Sequence, residues 1–141
     1  MLSALSEAGA DYIVVGAHAL AAHGYPRATG DLDILVRPTK ENADHVWQAI
    51  ERFNAPRRGV SKEDFYTPDV VFQIGIAPNR IDILTSITGV EFDEAWQNRK
   101  EVIFDTFSFF VLGRDELLKN KRAVGRPKDL ADVAWLEEGD Q

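Results

Sequence analysis

The sequence predicts an α/β (α+β) fold, a mixed β-sheet flanked by helices. Three observations predict it. Short apolar runs end at glycine, as in Tyr12-Ile13-Val14-Val15-Gly16. Residues Asp31 to Val36 alternate with the two-residue period of a strand, and Ala43 to Phe53 repeat with the period of a helix. The two signals alternate along all 141 residues without an internal repeat, a low-complexity segment or a long linker. Residues 1–141 therefore read as a single domain.

Leu2 to Ala8 reads as a short helix stopped by Gly9. Tyr12 to Val15 is a buried strand, and Gly16 turns it into an Ala-rich helix, Ala17 to His23, that Gly24 and Pro26 stop. In the next strand Leu32, Ile34 and Val36 share one side, and Asp31, Asp33 and Leu35 the other. Thr39 caps a helix whose apolar face is Ala43, Val46, Trp47, Ile50 and Phe53. Asn54 to Asp64, polar and holding Pro56 and Gly59, reads as a loop. Val70 to Ala77 and Arg80 to Thr85 are strands joined by a tight turn at Pro78-Asn79. Glu91 to Arg99 is a short helix, followed by strand at Val102 to Phe104 and Phe107 to Leu112. The aromatic stretch from Phe104 to Phe110 suits either core or a dimer surface. Asp115 to Val124 is helical, and Pro127 opens a last helix that runs to about Leu136.

Composition narrows the function classes. A hydrophobic share of 45% supports a real core. No apolar run approaches the ~20 residues that cross a bilayer, and the start, Met-Leu-Ser-Ala-Leu-Ser-Glu, lacks the basic and apolar parts of a secretory signal. There are no cysteines, which excludes disulfides, thiolate zinc sites and cysteine nucleophiles. A cytoplasmic protein is the expectation. The net charge of −7 argues against a generic nucleic-acid binder. A phosphate ligand would need a metal ion or local basic groups, such as Arg57-Arg58 or Lys119 to Lys128.

Aspartate is disfavoured in strands, yet Asp31, Asp33 and Asp82 all lie in apolar strands. Asp31 and Asp33 point to the same face, roughly 6–7 Å apart along the backbone. Their mutual repulsion is relieved by a bound cation or by protonation. Asp82 faces away from the side that Ile81 and Ile83 bury, so all three carboxylates converge if its strand lies beside the first. Such hard oxygen ligands suit Mg²⁺ or Mn²⁺ better than zinc, and two ions so held can clamp an in-line displacement at phosphorus. An isolated Asp-x-Asp is more often a turn or edge charge. The glycine bend at Gly16-Ala17 is likewise a plain strand-to-helix turn when it stands alone. Combined with the acidic pair downstream, its free amides form a phosphate cradle.

A hydrophobic strand, Gly16-Ala17, thirteen residues from His18 to Gly30, and Asp31-Leu32-Asp33-Ile34 resemble the signature of the polymerase-beta-like nucleotidyltransferase superfamily. The stretch from Gly16 to Asp33 is similar to bacterial minimal nucleotidyltransferases of the antitoxin and AbiEii-like kind. Ile81-Asp82-Ile83-Leu84-Thr85 resembles the strand carrying the third carboxylate, and Lys121 with Gly125-Arg126-Pro127-Lys128-Asp129-Leu130-Ala131-Asp132 resembles the C-terminal elements. The resemblance implies a nucleotidyltransferase fold, with Asp31, Asp33 and Asp82 as metal-binding catalytic residues. It implies that Gly16 and the Ala17 amide touch a nucleoside triphosphate. Ala17 departs from the usual Gly or Ser, so a hydroxyl contact is lost.

Arg27 and Thr29, just before Asp31, are candidate phosphate contacts. Lys121 falls on the apolar side of its helix with Leu117, Leu118 and Val124, and either snorkels or enters the cleft at the triphosphate. Asp132 is a candidate to orient it by a salt bridge. His18 and His23 read as plain helix residues, and Trp47, Trp96 and Trp135 as core or near-core. No P-loop and no Gly-x-Ser-x-Gly elbow is present. Two functions remain open. One is transfer of a nucleoside monophosphate to a hydroxyl on a protein, a tRNA end or a small molecule. The other is a non-catalytic module that senses nucleotide or binds a partner protein, as an antitoxin does. A homodimer is compatible with either.

Overall fold

Four successive buried residues, Tyr12, Ile13, Val14 and Val15, form strand β1 (Tyr12–Val15). Burial on both faces marks an inner strand, which is why the run lacks alternation. The computed structural model describes residues 1–25, 30–57, 59–76 and 79–138. Ahead of β1, helix α1 (Leu2–Glu7) buries Leu5 and ends at Gly9, whose φ of +75° a side chain would resist. Helix α2 (Ala17–Ala22) follows the Gly16 bend and leads toward β2 (Leu32–Val36), which pairs antiparallel with β1.

Helix α3 (Lys40–Arg52) starts where the Thr39 hydroxyl accepts a hydrogen bond from the Asn42 amide at 3.2 Å. It buries Ala43, Val46, Ala49 and Ile50. Phe53, expected on the same apolar face, is 41% exposed, because the helix ends at Arg52 and Phe53 turns out as its C-cap. The polar stretch expected as loop to Asp64 contains the start of a short 3-10 helix, Lys62–Tyr66. Ser61 and Asp64 cap it reciprocally, and it inserts Phe65 fully into the core against Trp47 and Phe72.

Strands β3 (Val71–Ile74) and β4 (Ile81–Leu84) pair antiparallel. β3 stops short of the expected Ala77, with Gly75 at φ +77°. Ala77 and Pro78 lie outside the described residues. Helix α4 (Phe92–Gln97) precedes the hairpin of β5 (Lys100–Phe104) and β6 (Phe107–Val111). Helices α5 (Arg114–Val124) and α6 (Pro127–Glu138) close the chain, separated by Gly125 at φ +71° with Pro127 at the first turn of α6.

The strands make one mixed sheet in the order β3-β4-β2-β1-β6-β5, flanked by helices. β2 pairs parallel with β4, and β1 parallel with β6. Arg37 stacks on Phe92, Phe92 on Trp96, and Arg99 lies 3.8 Å over the Trp96 ring and 4.5 Å over Phe110. This ladder ties α4 to the end of β2 and to β6. Of the aromatic stretch, Phe107, Phe109 and Phe110 are half-buried, whereas Phe104 is 75% exposed on edge strand β5. No helix among the described residues is long and apolar enough to cross a membrane.

Candidate active site

The alternation of β2 places Asp31, just before the strand, and Asp33, within it, on one side of the chain. The register then decides where the third carboxylate goes. β2 and β4 run parallel with Asp33 opposite Asp82, and in-register neighbours on parallel strands share a face. On the other flank, antiparallel pairing sets Val15 opposite Asp33, so the bend after Val15 lands beside that carboxylate. Gly16 holds φ +70°, and a methyl group placed on it would sit 2.4 Å from Asp33 Oδ2. Glycine is required there twice, for the backbone angle and for the contact.

Asp82 is only 7% exposed, whereas Asp31 and Asp33 are half-buried. Burial pushes the Asp33 carboxyl above the ordinary aspartate range, the charges of Asp82 and Asp31 raise it further, and so does a hydrogen bond with Asp82. Arg80 works the other way. Its guanidinium reaches two of the three carboxylates, with Nη2 3.4 Å from Asp31 Oδ2 and Nε 3.1 Å from Asp82 Oδ1. The second contact is one of charge rather than a directed hydrogen bond, because neither buried atom has a hydrogen-bond partner.

A crystal structure of a Thermotoga maritima protein, itself only provisionally assigned as a nucleotidyltransferase, superposes with a TM-score of 0.61 over 97% of this chain and 88% of that one. This chain has the nucleotidyltransferase fold. The identity across that superposition is 19%, so the likeness is one of architecture. No protein-family model matches the sequence, and no curated protein matches it either.

Within this fold, the residues facing the bend suit a hard divalent cation in their donor chemistry: carboxylate oxygens on adjacent strands, one of them buried and without a hydrogen bond. They do not yet enclose an ion. Among the described residues no group of three acidic or imidazole side chains is gathered closely enough to hold one. Arg80 is the functional candidate that sequence reasoning passed over. Its signal was present, because the period that puts Asp82 on the acidic face also puts residue 80 there.

The other expected residues are distributed differently. Ala17 is half-buried at the start of α2, directly after the bend. Arg27 and Thr29 lie outside the described residues. His23 is structural, its Nε2 2.8 Å from the Leu112 carbonyl. Lys121 is 8% exposed and engaged between helices, with Nζ 3.4 Å from Asp129 Oδ1 and 3.1 Å from Asp132 Oδ2. Arg126 Nε donates to Asp129 Oδ2 at 2.6 Å and holds the Asp129 carboxyl below the usual carboxylate range. A cavity of about 350 Å³ opens elsewhere, at the far end of β2, lined by Leu35, Arg37, Thr85, Val90 and Phe92. Two of its polar groups are already used: Arg37 is paired with Asp11 and Asp93, and the Thr85 hydroxyl donates to the Thr67 carbonyl at 2.7 Å. Asp31, Asp33 and Asp82 are not among its lining residues.

Proposed function

We propose that this chain is a metal-dependent nucleotidyltransferase that moves a nucleoside monophosphate from a nucleoside triphosphate to a hydroxyl acceptor and releases pyrophosphate. One observation carries the reading: Asp33 and Asp82 are register partners, and the Gly16 bend closes directly on Asp33. A helix-start glycine bend beside convergent carboxylates pairs anion-binding amides with hard-cation ligands, which is what a triphosphate and its metal require.

Asp31, Asp33 and Asp82 are the residues that would hold Mg²⁺ or Mn²⁺. When bound, the ion supplies charge neutralisation at the phosphates and a lower acceptor pKa. Gly16 and Ala17 offer backbone N–H groups to the triphosphate. Arg27 and Thr29, from the segment before Asp31, add phosphate contacts, whereas Lys121, the candidate from the C-terminal half, is engaged by Asp129 and Asp132. The acceptor oxygen forms a bond to the α-phosphorus, the bond to the pyrophosphate oxygen breaks, and the acceptor proton passes to Asp82. The acceptor is a hydroxyl of a protein, a tRNA end or a small molecule. Within the superfamily we place the chain with the bacterial minimal and AbiEii-like kind, on its stretch from Gly16 to Asp33.

The test is incubation with α-labelled triphosphates, Mg²⁺ and candidate acceptors. Wild type should label an acceptor and Asp31→Asn should not; equal labelling would reject the site. Ala17 motivates a second reading, since its methyl group replaces a hydroxyl that would bind phosphate. Triphosphate binding by calorimetry without turnover on any acceptor would favour that reading, a nucleotide-sensing or antitoxin-like module.

A further inference from the structure

Arg80 sits where its charge is awkward for the function just proposed. It stands just before β4, in the register of the face that carries Asp82, and its guanidinium spans Asp31 and Asp82 at 3.4 and 3.1 Å. Those two carboxylates belong to different strands, so this contact holds together the acidic ends of β2 and β4. The pairing with Asp82 is also imperfect. Nε and Oδ1 are both buried, close together, and not aligned for a hydrogen bond. A structural ion pair of this burial normally has its hydrogen bonds complete. Arg80 is 35% exposed, so its side chain has room to turn outward without unpacking the core.

We propose that Arg80 is an internal counter-ion of the metal site, standing in for the cation between Asp31 and Asp82 and leaving when metal and nucleotide arrive together. The inference rests on the carboxylates being the metal ligands. A guanidinium and a divalent cation compete for the same oxygens, so each weakens the other's hold. A triphosphate beside the Gly16 bend offers the displaced guanidinium new acceptors, to which its planar fork is suited. Metal and nucleotide binding are thereby coupled through one side chain. Nucleotide draws Arg80 away from the carboxylates, and the freed carboxylates bind metal more tightly.

The experiment measures Mn²⁺ binding by electron paramagnetic resonance, with and without a non-hydrolysable triphosphate, on wild type, Arg80→Gln, Arg80→Lys and Asp33→Asn. Without nucleotide, Arg80→Gln should bind Mn²⁺ about tenfold more tightly than wild type, the scale of one half-screened charge pair. Adding the triphosphate should tighten Mn²⁺ binding less in Arg80→Gln than in wild type. Arg80→Lys, which keeps the charge, should stay near wild type. Unchanged or weaker Mn²⁺ binding in Arg80→Gln, with binding still abolished in Asp33→Asn, overturns the counter-ion role and leaves the metal site standing. No Mn²⁺ binding by any variant, with or without nucleotide, overturns the metal site itself and the inference with it. Should Arg80→Gln not fold, the Nε–H resonance of Arg80 in the wild-type protein decides. It should move when Mg²⁺ and the triphosphate are added together, and a stationary resonance overturns the proposal.

Discussion

Among the described residues, two groups of aspartates are treated by the fold in opposite ways. The first sits on neighbouring strands: Asp33 and Asp82 in register on β2 and β4, Asp31 just before β2, and the glycine bend against Asp33. Among the described residues it sets three carboxylates against the guanidinium of Arg80, and Asp33 is pushed toward its neutral form. The second is helix-borne: Asp129 and Asp132 on α6, answered by Lys121 on α5 and by Arg126. There the charges balance, and Asp129 is held in its ionised form. Both aspartates of that pair are almost fully buried, which a carboxylate tolerates only when paired. Acidic residues placed against sufficient positive charge bind helices together. Acidic residues crowded on neighbouring strands instead push the carboxyl at their centre, Asp33, above its ordinary range.

The sharpest way to break the comparison is to neutralise one carboxylate in each cluster. Asp33→Asn should reduce nucleotide transfer by about a thousandfold or more, since it removes a ligand from the charge-stabilising centre. The same variant should fold at least as stably as wild type at neutral pH in metal-free buffer, because it relieves a crowded, desolvated charge. Labelled-triphosphate assays and thermal melts on one preparation read both effects. Lys121→Met should behave in reverse. Withdrawing the lysine charge from the buried Asp129 and Asp132 should cost about 3 kcal/mol, measured by urea unfolding. A second change, Asp132→Leu, should recover most of that loss. If Lys121→Met instead kept its stability and lost triphosphate affinity, Lys121 would belong to the nucleotide cleft and the clusters would not be separate in kind.

What the sequence made legible follows the range of the forces involved. Strand period is local, so the shared face of Asp31 and Asp33 was readable, as was the outward setting of Asp82 relative to Ile81 and Ile83. That β4 lies parallel beside β2 with Asp82 opposite Asp33 is a choice among distant strands, which no local pattern encodes. Helical spacing puts Lys121 on the side of Leu117 and Leu118, which are buried with it, whereas Val124, expected on that side, is 37% exposed at the end of α5. Its partners come from the packing of α5 on α6, so only the structure shows the two ion pairs. The 3-10 helix at Lys62–Tyr66 was missed because its capping box ends in Asp64 rather than Glu or Gln and its five residues carry little periodicity.

Smaller effects sharpen the contrast within the strand cluster. Gly16→Ala meets two separate penalties, a left-handed backbone angle and a methyl group 2.4 Å from Asp33 Oδ2. Together they should cost about 2 kcal/mol of stability. In an Asp33→Ala background the contact is gone and only the backbone penalty remains. The cost of Gly16→Ala should therefore shrink there, and a double-mutant cycle by urea unfolding measures the difference. Equal costs in both backgrounds would mean that the bend does not press on the carboxylate.

The smallest expected effect is also the most direct contrast of the two clusters, because their pH dependences have opposite signs. Asp33 has a raised native pKa, so its native environment favours the protonated form. Its contribution to stability is intact below the ordinary aspartate value and is lost as pH rises through the raised one. Asp129 has a lowered native pKa. Its contribution is present above the ordinary value and is lost as pH falls through the lowered one. Urea unfolding between about pH 3 and about pH 7 in metal-free buffer separates them. The gain from Asp33→Asn should be near zero in acid and grow toward neutrality, and the loss from Asp129→Asn should be largest at neutrality and shrink in acid. Adding Mg²⁺ should flatten the Asp33-dependent slope, since a bound cation stabilises the ionised carboxylate, and should leave the Asp129-dependent slope unchanged. Slopes of the same sign, or a Mg²⁺ effect on both, would mean that the two acidic clusters are held by the same kind of charge balance after all.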